Sequence, residues 1–200
     1  MHADRARCAV ALGLVLASVT GPGGCFGRSP DSRFYVLTPV PPPGAAAAGA
    51  GNRELAVSVG PVTLPSYLDR PQIVTRRAGG EVDVAEFDRW ADILTEAVPR
   101  VLAEDVALRL GSDRVAAYPV APRDRYRVLI AIGRFDGSLG TAVVLEAYWQ
   151  VLNAAGEEVA ARRSAITERV DDAGYAALVA AMSRALGVLA GDVATVLARL

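Results

Sequence analysis

Apolar residues recur with a period of two through much of the second half of the chain. Residues 126–135 set Tyr126, Val128, Ile130 and Ile132 against Arg127, Leu129 and Ala131. Residues 141–152 place Val143, Leu145, Ala147, Trp149 and Val151 on one face and Val144, Glu146, Tyr148, Gln150 and Leu152 on the other. A third strand is expected over 158–167. The short turn sequences Gly-Ser-Leu-Gly at 137–140 and Asn-Ala-Ala-Gly at 153–156 join the three into an antiparallel meander. Beyond it the spacing changes to threes and fours. Tyr175, Leu178, Val179, Met182, Leu186, Leu189, Val193, Val196, Leu197 and Leu200 predict a helix to the C-terminus, with Asp171 or Asp172 as its cap.

The first half is more broken. Residues 33–38 (Arg-Phe-Tyr-Val-Leu-Thr) read as a strand, and the Pro/Ala/Gly-rich stretch 39–52 as a flexible surface loop. Leu55, Val57 and Val59 alternate within 54–62, the pattern of a half-buried strand that Pro61 and Pro65 would end. A loop over 64–76 leads into a strand at 73–77; Ala-Gly-Gly at 78–80 turns it into a strand at 81–85. From Phe87 the pattern is helical, with Trp90, Leu94, Ala97, Val98, Val101, Leu102 and Leu108 near one face. Pro99 makes the helix proper begin near Thr95 or kink, and Gly111 stops it. A short strand at 114–118 completes the order β-β-β-β-α-β-β-β-β-α. That order predicts a single α+β domain, an antiparallel or mixed β-sheet with two long helices packed on one face.

The N-terminus follows a different rule. Arg5 and Arg7 precede an apolar run at 9–19, and small residues lead to Gly23, Gly24 and Cys25. This is the pattern of a secretory signal peptide, and the run is too short to span a hydrocarbon core that needs about 20 residues. A cysteine at the expected cleavage point resembles a lipobox, although Pro22 stands where such signals usually carry Leu. The expectation is a signal over 1–24, a lipid-anchored N-terminal strand and loop over 25–53, and the rest of the domain over 54–200. Cys25 is the expected lipidation site. Cys8 leaves with the signal, so no second thiol remains to pair with it.

Composition narrows the chemistry. Without the signal the chain keeps 19 basic and 21 acidic residues, nearly neutral and without the basic footprint of a nucleic-acid binder. All the basic residues are Arg, Lys is absent, and the single histidine is His2 in the signal. Ser-His-Asp triads, Cys-His dyads, Schiff bases and His- or Cys-ligated metals are therefore excluded from the mature chain. Carboxylate chemistry alone stays open, such as a two-carboxylate glycosidase, and no such pair is evident in the sequence. The expectation is a non-enzymatic protein without cofactor or metal.

One set of residues resembles a known family. Cys25, the strand containing Phe34 and Tyr35, and the segment Val-Thr-Leu-Pro-Ser-Tyr-Leu-Asp-Arg-Pro-Gln-Ile-Val-Thr-Arg at 62–76 are similar to the PqiC-like (paraquat-inducible protein C) ABC-type transport auxiliary lipoproteins. Asp-Arg-Trp-Ala at 88–91, Gly-Arg-Phe-Asp at 133–136 and the closing helix add to the likeness. The resemblance implies an accessory lipoprotein of an envelope lipid-transport system. Its partners would be an ABC permease and ATPase and a Mce-domain (MlaD-like) substrate-binding protein, and it could form a homo-oligomer. For such lipoproteins Phe26, rather than Asp, after the acylated cysteine implies the outer membrane, on its periplasmic face. Tyr67, Leu68, Asp69, Arg70, Gln72 and Trp90 are the candidate partner-binding residues. Two alternatives stay open: Asp69 and Arg70 pin the loop to its own domain, or the protein itself carries a lipid between sheet and helices.

Overall fold

The computed structural model describes residues 30–42, 55–119 and 125–200. The expected signal, Cys25 and most of the Pro/Ala/Gly stretch lie outside these residues. The unit Asp31–Leu200 is α+β, with strands β1 (Arg33–Tyr35), β2 (Val57–Thr63), β3 (Gln72–Arg76) and β4 (Val82–Trp90), helix α1 (Leu94–Leu110), strands β5 (Val115–Ala117), β6 (Tyr126–Gly137), β7 (Ala142–Asn153) and β8 (Glu158–Arg169), and helix α2 (Tyr175–Leu197). The strands divide between two mixed sheets, one ordered β1-β4-β3 and one ordered β5-β2-β6-β7-β8.

The large sheet carries the core. The β6-β7-β8 meander is antiparallel along its whole length, as the alternation and the short turns require. Trp149, Leu145 and Val143 of β7 point into the helix layer with Val128 and Phe135 of β6. Helix α2 contacts β6, β7, β8 and α1. It is long and apolar enough to cross a membrane by composition alone. Burial of Leu178, Met182, Leu186, Leu189, Val193 and Leu197 between sheet and α1 accounts for that composition, each worth roughly 1.5–3 kcal/mol.

Three local expectations give way. Strand β2 is buried on both faces from Val57 to Gly60, and it lies between β5 and β6, parallel to both. It also continues through Pro61 to Thr63, with a shift of register between Val59 and Val62. Residues 87–90 are not the opening of a helix. β4 runs on to Trp90, whose amide donates to the Pro71 carbonyl at 2.7 Å, and β1 pairs with 88–90 in parallel register. The expected helix start near Thr95 agrees with the observed Leu94. Finally, α2 is preceded by Gly174 with no side-chain cap; Asp172 instead accepts from the Gly174 amide. Gly111 does end α1, in the left-handed conformation (φ 61°, ψ 35°) that favours glycine.

The arm after β1 is held by the helices. Leu37 enters the core. The Thr38 amide donates to Ser183 Oγ (3.2 Å), and the Val40 amide to Asp105 Oδ1 (2.9 Å). Arg109 donates to Asp105 and to the Val40 carbonyl, closing the clasp. Gly187 lets the arm approach: a Cβ there would lie 3.0 Å from Arg109 Nη2 and 3.3 Å from Val40 Cβ. The Pro/Ala/Gly stretch thus begins, at 39–42, as a fixed segment.

Candidate docking groove

The segment between β2 and β3 turns through a single 3-10 turn, Ser66–Leu68. Leu68, 2% exposed, plugs the core. With that side chain inward, its neighbours are sent in opposite directions. Tyr67 turns toward β6, and its hydroxyl donates to Asp136 Oδ2 at 2.6 Å. Asp136 is fully buried and receives more: Arg76 Nε and Nη2 at 2.6–3.0 Å and Arg134 Nε at 3.0 Å. The Arg76 guanidinium also lies 5.6 Å from the centre of the Tyr67 ring.

This cluster is a brace. Burial alone would raise the Asp136 carboxyl, but the hydrogen bonds from Arg76, Tyr67 and Arg134 outweigh it and hold the group below the usual carboxylate range. Burial, and then the bond to Asp136, push the Tyr67 phenol up. A carboxylate whose acceptor positions are taken by fixed cations is a poor base and a good strut. It ties the turn and β3 of the small sheet to β6 of the large one, and Ser138 Oγ adds a bond to the Arg76 carbonyl.

Beyond Leu68 the chain faces outward. Asp69, Arg70 and Pro71 form one side of a surface groove of about 340 Å³; Trp90, Ala91, Asp92 and Ile93 form the other. The Pro71–Trp90 backbone bond holds the two sides together. Trp90, 6% exposed, is the floor, and Ile93, 56% exposed, stands on the rim. Asp92 is held by Arg100 at 2.9 Å. Among the described residues the Asp69 and Arg70 side chains have no hydrogen-bond or ion-pair partner. An apolar floor with one free charge of each sign beside it suits a polypeptide segment better than a reaction. Among the described residues, moreover, no group of three or more His, Cys, Asp or Glu side chains converges.

Of the six candidate residues, the groove gathers Asp69, Arg70 and Trp90. Tyr67 is committed to the brace and Leu68 to the core. Gln72 is the register partner of Arg89 on β4 and does not line the groove. Sequence reasoning missed Asp136, Arg76 and Arg134 as a cluster, as well as Pro71 and Ile93. A signal existed in Arg134 and Asp136, opposite charges two residues apart in a strand and hence on one face.

Comparison with known proteins agrees with this anatomy. Protein XCC0632 from Xanthomonas campestris superposes with a TM-score of 0.66 at 22% identity, over 82% of this chain and 93% of its own. An uncharacterized protein of known crystal structure superposes with a TM-score of 0.67 at 16% identity, over 83% and 98%. At these identities the likeness is one of fold. No curated protein matches the chain. The family model described as "ABC-type transport auxiliary lipoprotein component" matches residues 35–194, from β1 to the last turns of α2. The chain therefore belongs to the ABC-type transport auxiliary lipoprotein components, proteins of the cell envelope that serve a transporter.

Proposed function

We propose that this auxiliary lipoprotein acts without catalysis, as an acylated docking subunit of an ABC/Mce-type system that moves phospholipid or another hydrophobic cargo between inner and outer membranes. Cys25 carries the anchor, in the outer membrane by the identity of Phe26. The Asp69–Arg70–Trp90 groove receives a segment of the Mce-domain component, which in turn meets the permease and ATPase. The observation that carries the reading is the contrast in one turn of chain: each polar group around Asp136 has a hydrogen-bond partner, whereas the Asp69 and Arg70 side chains have none among the described residues and stand beside the Trp90 floor. Arg and Trp are frequent anchors at protein interfaces.

The test is co-purification of the Mce component with Arg70→Ala and Asp69→Ala chains. Loss of the partner from folded, membrane-attached variants supports docking here; unchanged recovery refutes it. Tyr67→Ala is the wrong variant, because it removes a strut from the brace and confuses docking with folding. The alternative, a lipid carried between sheet and helices, requires space where Trp149, Phe135, Leu145 and Leu186 are packed at 0–1% exposure.

A further inference from the structure

The small sheet has a second outward surface. Register pairs Phe34 with Arg89, Gln72 also with Arg89, Val74 with Val84, and Arg76 with Val82. Residues paired across neighbouring strands share a face, so Phe34, Arg89, Val84 and Val82 lie on one side of the sheet with Val74 and Arg76. On β3 that side is covered, Val74 being buried and Arg76 turned to Asp136, and it opens outward over β1 and the first half of β4. Phe34 is 63% exposed and Val84 45%, and Val36, just beyond β1, is open as well. The charges on two flanks are paired, Arg33 with Asp88 and Arg77 with Asp83. Arg89 is the exception. Among the described residues its Nε is buried without a partner, in the same row as Phe34. Glu86 is exposed on the intervening bulge, so the face is not basic.

We infer that this face of the small sheet, led by Phe34 and Val84, lies against the lipid surface that holds the anchor. The inference rests on the reading that Cys25 is acylated. Phe34 is nine chain steps from Cys25, a reach of at most about 32 Å, and Asp31 is six, at most about 22 Å. A domain of this size is about 40 Å across. The link is shorter than the domain it tethers, so the β1 side is the side kept at the membrane. Apolar side chains with an aromatic among them gain from entering the headgroup boundary, to a depth of about 5–10 Å. The exposed Glu86 makes this an apolar contact that needs no anionic lipid.

The experiment uses the full chain, processed in a lipoprotein-competent bacterium and reconstituted into phosphatidylcholine/phosphatidylethanolamine vesicles. Acylation blocks Cys25, so Phe34→Cys, Val84→Cys and, on the edge strand β8, Val159→Cys each carry one labelling site for a polarity-sensitive dye. With probes of the depth expected for interfacial contact, spin-labelled lipid should quench positions 34 and 84 about two-fold or more beyond position 159. Equal quenching at all three overturns the inference. So does a blue shift at 34 that grows with protein density but ignores lipid quencher, since a second copy then covers the face. The mass of the N-terminal peptide, taken from the same sample, separates the two readings. An unmodified Cys25 removes the anchor and this inference together, whereas an acylated Cys25 with equal quenching removes the inference alone.

Discussion

Tyr67 and Arg70 are three residues apart, and the protein uses them in opposite ways. Tyr67 faces inward to a carboxylate that also holds two arginines; Arg70 faces outward and has no side-chain partner among the described residues. Both residue types are common at interfaces, and composition alone cannot separate a brace from a docking surface. Satisfaction can. A polar group whose bonds are complete has no reason to await a partner, and a free charge at the edge of an open groove has one.

The largest effect should come from the inward side. Replacing Asp136 with Ala leaves Arg76 and Arg134 without their counter-charge, which should cost about 3 kcal/mol or more of stability. Urea unfolding measures it; a loss below about 1 kcal/mol would mean that the brace does not brace. The same carboxylate gives a pH signature. Its folded pKa lies below the unfolded value of about 3.9, so its contribution is complete above that value and disappears as pH falls through the lowered folded one. Asp136→Asn should flatten this acid limb while leaving the neutral region level with pH.

Smaller effects sharpen the contrast. Tyr67→Phe removes one donor to Asp136 and keeps the ring beside Arg76, which should cost about 1 kcal/mol. Arg70→Ala should change stability by no more than about 0.5 kcal/mol, the range of a surface substitution away from packing. In partner binding the order reverses. Arg70→Ala should weaken association with the proposed Mce partner about ten-fold, roughly 1.4 kcal/mol, while Tyr67→Phe leaves it unchanged. Titration of the purified pair decides whether that crossover exists.

Much of this fold is legible in the sequence. The meander is visible because its turns are short and its partners adjacent, and Gly111 marks the end of α1 by a conformation few other residues accept. What eluded the reading is non-local. Trp90 and Leu94 stand four apart, as on a helix, yet β1 and Pro71 draw Trp90 into a strand. The central place of β2 depends on β5 and β6, more than fifty residues later. The site divides likewise. Asp69, Arg70 and Trp90 could be singled out by type, but the inward turn of Tyr67 is set by an aspartate 69 positions away.

The arm that follows β1 has a mechanical meaning. β1 lies parallel to β4, and a pull from the N-terminal side runs along β1, so their hydrogen bonds are strained in shear, side by side, instead of being peeled open one at a time. Should that short ladder slip, tension passes to Leu37 and then to the grip of Asp105 and Arg109 on Val40. With Cys25 anchored as proposed, a pull through it meets three successive holds: the β1 ladder, Leu37 and Val40.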